Sequence, residues 1–133
     1  MSQNELSQQS ARLTCGRLTA PAELPSARSA FERHIFRVMA AVTLVRLEDD
    51  GDLHLVLVAG GAHMIAESPS PTCTNDATPI RRKQIAAARR AVRLCRRASV
   101  TGIVFWDYDH GQTGVPPNAI ELHPILAFHC LRR

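Results

Sequence analysis

The stretch EDDGDLHLVLVAGGAHMIAE, residues 48–67, carries the strongest structural signal in the chain. Its Asp-Gly dipeptide at residues 50–51 separates two apolar runs, which is the strongest short-range signal for a β-hairpin. Residues 53–57 alternate between leucine and other side chains, the period of a strand with one buried face. Because the two glycines at 60–61 mark a second tight turn, the stretch predicts a three-stranded antiparallel meander.

The remaining elements extend this meander in both directions. Thr78-Pro79 is typical of a helix N-cap followed by proline at the first helical position. The order βββαββ, with a helix between the third and fourth strands, predicts a mainly β, five-stranded OB-like barrel; a split α+β sandwich is the alternative. The predicted strands are residues 35–48, 52–59, 62–67, 98–107 and 119–128, the predicted helix is 79–97, and a flexible N-terminal segment, 1–32, precedes the OB-like domain, 33–133.

Positive charge is concentrated in one part of the chain. The net charge is +4, and residues 81–97 contain eight cations and no acid. Such a block predicts an acidic partner, nucleic acid above all, although a solvated helix face has the same composition. The residues predicted to bind phosphate lie on one stripe of the predicted helix: Arg82, Arg89, Arg93 and Arg96.

Acid–base and metal-ligating side chains recur within the apolar strands and at their ends. Imidazole and carboxylate groups together suit a divalent metal ion and also suit proton transfer in hydrolysis, while any one of them can equally be a surface residue or a cross-strand pair. Glu121 and His123, two residues apart in a predicted strand, share one face. The predicted catalytic residues are Asp107, His110, Glu121 and His123; the predicted metal ligands are His54, Glu67, His110 and His123; the loop residues predicted to contact a ligand are Gln112 and Asn118.

Three segments of the chain resemble a family of small bacterial proteins with an OB-like fold. They are EDDGDLHLVL (48–57), HMIAESPSPTC (63–73) and VTGIVFWDYDHGQTGVPPNAIELHPI (100–125), and the resemblance covers residues 33–128. Many members of that family carry a signal peptide. The resemblance therefore implies a Cys73–Cys95 disulfide in an exported protein, whereas the N-terminal residues, which lack an apolar signal segment, predict a cytoplasmic one.

Two functions follow from these observations. The first is a nucleic-acid-binding OB-like protein, with metal-dependent phosphodiesterase or nuclease activity as a further hypothesis. The second is a non-catalytic module that binds a protein or a small ligand through the loop at 109–118. No apolar run approaches the ~20 residues needed to span a bilayer, so no membrane partner is predicted.

Overall fold

A computed structural model describes residues 35–106, 113–114 and 120–133. The predicted N-terminal segment and the start of the predicted domain lie outside these residues. The described chain is mainly β with one α-helix. Its elements are β1 (Ile35–Leu47), β2 (Leu53–Ala59), β3 (Ala62–Ser68), a 3-10 turn (Pro71–Cys73), α1 (Pro79–Ala91), β4 (Cys95–Trp106) and β5 (Ile120–Arg132).

The five strands form one sheet that closes into a ring. Neighbours follow the order β1-β2-β3-β5-β4, and β4 pairs with β1 to complete the ring. All pairings are antiparallel except that between β3 and β5, which is parallel. The predicted strand count and the position of the helix between the third and fourth strands are confirmed.

The turns of the meander form where the sequence predicts them. Gly51 has a φ of +88°, which a residue with a side chain rarely adopts, and Asp50 Oδ1 accepts a hydrogen bond from the Asp52 N–H at 2.9 Å. Gly60 and Gly61 also have positive φ, as a two-residue hairpin turn requires. Paired in this register, β2 and β3 place His54 directly opposite Glu67.

The core lies inside the ring. Alternate strand residues such as Leu55, Ala66 and Leu122 are fully buried there, while their neighbours point to the outer face. The helix begins with the predicted cap, in which Thr78 Oγ1 accepts a hydrogen bond from the Arg81 N–H at 3.2 Å. It packs mainly against β5 and buries Ile85 and Ala88.

The predicted extent of the helix is wrong at its C-terminal end. The helix ends at Ala91, and β4 begins at Cys95, three residues before the predicted strand. Cys95 pairs with Val42 of β1, and its sulfur is bonded to Cys130 of β5. The implied Cys73–Cys95 disulfide is therefore wrong, because strand pairing brings β5 to Cys95. Within the described ranges, no helix is both long and apolar enough to cross a membrane.

Candidate functional site

A group of charged residues lies on the outer face of the ring, where β2, β3 and β5 are neighbours. His54 and Glu67 are cross-strand partners, and Glu121 pairs with Ile65 of β3. Since strand side chains alternate, these residues face away from the core. We call the group the polar cluster; its members are Asp52, His54, Glu67, Glu121 and His123.

Glu67 is the centre of the polar cluster. Its Oε1 accepts a hydrogen bond from His54 Nδ1 at 3.2 Å, and its Oε2 accepts one from His123 Nδ1 at 3.1 Å. Glu121 Oε1 lies 3.5 Å from His123 Nδ1. One carboxylate thus joins two imidazoles, one from β2 and one from β5. 

Both ring nitrogens of His54 have acceptors. Nδ1 faces Glu67, and Nε2 lies 2.8 Å from the backbone carbonyl of Thr113. An imidazole can donate from both nitrogens only when it is protonated. Burial opposes the charge on His54, but the hydrogen bonds to Glu67 and to the Thr113 carbonyl outweigh it and raise the pKa of the imidazole.

The remaining pKa shifts describe a mutually stabilised set of charges. Burial disfavours the imidazolium of His123, yet the Glu121 and Glu67 carboxylates raise its pKa to about 9. Burial alone would raise the pKa of Glu67, but hydrogen bonds from His123 and His54 lower it to about 2. For Asp52 burial prevails over the hydrogen bond from the Ser70 N–H, and the pKa of this carboxyl rises to about 6.

Residues 113–114 cover the outer face beside the polar cluster. Val56 and Ile65 point outward from β2 and β3, yet they are 7% and 0% exposed. Gly114, with a φ of +86°, lies against Val56 so closely that an added Cβ would be 2.6 Å from a Val56 methyl group. The carbonyl of Thr113 also accepts a hydrogen bond from His54, so residues 113–114 lie against the outer face at both His54 and Val56.

The structure brings together four of the residues predicted to form a site: His54, Glu67, Glu121 and His123. It adds Asp52, which the sequence predicts only as the first residue of a strand. The signal was present, because Asp52 precedes His54 by two residues and therefore shares its face. The other predicted site residues lie outside the described residues: Asp107, His110, Gln112 and Asn118.

The four predicted phosphate-binding arginines do not share a helical stripe. Arg82 is exposed on α1, whereas Arg93 and Arg96 lie beyond the end of the helix. Arg89 donates hydrogen bonds to three backbone carbonyls: those of Ser68 and Pro69, both at 3.1 Å, and that of Gly51 at 2.7 Å. Arg89 therefore links the helix to the first turn of the meander and to the end of β3. This side chain is occupied within the protein, and its predicted role as a phosphate ligand is not supported.

A different set of arginines converges on an open groove of about 580 Å³. Arg97 of β4 and Arg132 of β5 are directly opposite each other in the ladder, and Arg96 lies beside them. No ion pair joins these side chains to any residue in the described parts of the chain. We call this the arginine groove; its lining is Met39, Ala40, Ala41, Val58, Ala59, Arg96, Arg97 and Arg132.

The arginine groove and the polar cluster lie at opposite ends of β2. His54 belongs to the cluster and Ala59 to the groove. On β2, Val58 is the groove residue nearest to His54, four positions away, which is about 13 Å at the usual rise. The two features are therefore separate sites.

No protein-family model matches the chain, and no curated protein does. Among solved structures, it is similar to a protein described as an aspartyl-tRNA synthetase from Leishmania major Friedlin, with a TM-score of 0.55 and 11% identity. The match covers 99% of this chain and 26% of that one, so the chain spans about a quarter of that protein's length. At this identity the similarity concerns the fold alone. Fold and sites together define a small, mainly β protein with a closed five-stranded sheet, a buried polar cluster and a basic groove.

Proposed function

We propose that this chain is an OB-like protein that binds nucleic acid through the arginine groove. The observation that carries the proposal is the pairing of Arg97 with Arg132. Like charges directly opposite each other in a ladder destabilise a sheet. Here both side chains line an open groove together with Arg96, and the described lining contains no acid. A polyanion such as nucleic acid supplies the missing negative charge.

The expected nucleic-acid site differs from the one that OB domains ordinarily use. OB domains bind oligonucleotides on the face of strands 2 and 3 and with the adjacent loops. In this chain residues 113–114 lie against that face, with Gly114 packed on Val56 and the Thr113 carbonyl on His54. The arginine groove is open and basic, so it is the better candidate for the contact. The description of the similar solved protein names tRNA, which supports nucleic-acid binding by a protein of this fold.

Metal-dependent phosphodiester hydrolysis is less well supported than binding. The polar cluster has suitable acid–base groups, but its two histidines are 1% and 2% exposed. A substrate held in the arginine groove would lie about 13 Å from His54 along β2. We therefore favour binding without hydrolysis. A non-catalytic module that binds a protein or a small ligand through the loop at 109–118 remains the alternative.

The test measures binding of a labelled single-stranded oligonucleotide by fluorescence anisotropy, starting at ~50 mM salt. We expect the variant Arg96→Ala/Arg97→Ala/Arg132→Ala to bind more weakly. Its plot of log K against log salt should be shallower by about 2, since each phosphate contact of a single strand contributes about 0.7.

The matched control removes three charges from the helix instead, as Arg82→Ala/Lys83→Ala/Arg90→Ala. All three of these side chains are exposed, and they lie outside the groove. The control should retain most of the affinity. Equal losses in both variants would mean that net charge alone drives binding. Binding to anionic vesicles or heparin but not to the oligonucleotide would contradict the proposal.

A further inference from the structure

We propose that Asp52, Glu67 and His123 form a binding site for one divalent first-row cation. One potential ligand atom from each residue lies within 4.8 Å of the other two. Ligand atoms around one ion are about 3.0–4.4 Å apart when the bonds are 2.0–2.2 Å long. The three side chains therefore need to close in by no more than about an ångström or two. This site goes beyond the proposed nucleic-acid binding and does not depend on it.

An independent observation points to a ligand at Asp52. The residue is 1% exposed, and its Oδ1 accepts a hydrogen bond from the Ser70 N–H at 2.8 Å. Its Oδ2 is buried and has no hydrogen-bond partner among the residues that the structure describes. Buried carboxylate oxygens are nearly always satisfied by a donor or an ion. A cation beside Glu67 and His123 would satisfy this one.

The neighbouring residues suit such a site. His54 holds Glu67 by a 3.2 Å hydrogen bond and uses its other ring nitrogen on the Thr113 carbonyl, so it positions a ligand and is not one itself. The predicted metal-binding role of His54 is thereby replaced by this positioning role. In the metal-free protein the Nδ1–H of His123 points to Glu67; a cation bound at Nδ1 takes the place of that proton, which is released.

The donor set and its burial indicate which cation and what role. One imidazole and two carboxylates suit Zn²⁺ or Mn²⁺. Asp52 directly precedes β2, Glu67 belongs to β3 and His123 belongs to β5. Asp52 and His123 are almost fully buried, which leaves a substrate little access to the ion and favours a structural role. The cation would tie together β3, β5 and the residue that precedes β2.

The test uses the full chain, stripped with EDTA and desalted. It is titrated separately with Zn²⁺ and Mn²⁺, and binding is followed by calorimetry and by the thermal midpoint. We expect one ion per chain and, at a hundred-fold excess over Kd, a rise in Tm of about 5–10 °C. If neither cation binds at micromolar concentrations and Tm is unchanged, the polar cluster is an ion-pair network only and the proposal is overturned.

The variant Asp52→Asn removes the ligand charge while keeping an oxygen for the Ser70 N–H. We expect it to bind the cation at least about 100-fold more weakly, since even neighbours of ligands typically cost 10–100-fold. Glu48→Gln is the control, because Glu48 lies 3.7 Å from His54 but outside the ligand set, and it should bind normally. Wild-type affinity in Asp52→Asn, or equal losses in both variants, overturns the proposal. If Asp52→Asn does not fold, the wild-type titration still decides.

Discussion

The polar cluster and the arginine groove use charge in opposite ways at the two ends of β2. In the cluster, buried imidazoles and carboxylates face each other, and Glu67 serves two histidines. In the groove, Arg97 lies opposite Arg132, and the described lining contains no acidic residue. Removing one member of such a buried set leaves the others without a counter-charge, which is strongly destabilising. Exposed charges of one sign that lack partners indicate a surface that binds a molecule of the opposite charge.

The largest expected effect is that of Glu67→Gln on stability. This variant leaves two buried imidazoles without their shared carboxylate, and breaking buried pairs typically costs about 3–5 kcal/mol. Urea denaturation with EDTA present measures the free energy of unfolding without bound metal. Glu48→Gln, which removes a more exposed carboxylate, should cost less than about 1 kcal/mol. Similar losses in both variants would mean that Glu67 does not hold the cluster together.

Gly114→Ala tests whether residues 113–114 pack against β2 beside the polar cluster, a contact that the arginine groove lacks. The new methyl group would clash with Val56, and the φ of +86° disfavours any side chain. We expect the free energy of unfolding to fall by about 1–3 kcal/mol. Gly60→Ala has a positive φ but open space around it, so it should cost less. If the two variants are equally destabilised, residue 114 does not press on β2.

Arg89→Ala separates a structural arginine from the groove arginines. Loss of its hydrogen bonds to three carbonyls should lower the free energy of unfolding by about 1–3 kcal/mol. Oligonucleotide affinity should change no more than it does in Arg90→Ala, an exposed neighbour on the same helix. A stable Arg89→Ala variant with strongly reduced affinity would return Arg89 to the predicted phosphate-binding set.

The smallest expected effect on the free energy of unfolding comes from Arg132→Glu, and here the expected change is a gain. The new carboxylate would lie opposite Arg97 and replace a repulsive pair by an attractive one. Such pairs contribute about 0.2–1 kcal/mol, so the protein should become slightly more stable while its oligonucleotide affinity falls. Reduced stability in this variant would show that Arg132 is needed by the fold and not by a partner.

Local signals in the sequence predicted most of the secondary structure. The Asp-Gly and Gly-Gly turns, the alternation in β2 and the Thr78-Pro79 cap all lie where they were expected. The helix was predicted six residues too long, because the segment after Ala91 has good helix-forming residues and no local stop signal. Pairing of Cys95 with Val42 and its bond to Cys130 draw that segment into the sheet instead.

The sequence by itself determined the meander, the position of the helix and the faces on which His54, Glu67, Glu121 and His123 lie, because strand alternation is a local property. Only the tertiary structure decided that these faces meet, since it depends on the parallel pairing of β3 with β5, elements more than 50 residues apart in the chain. The same holds for the arginine groove. Arg132 faces Arg97 through the antiparallel register of β4 and β5, which no pattern within either segment specifies.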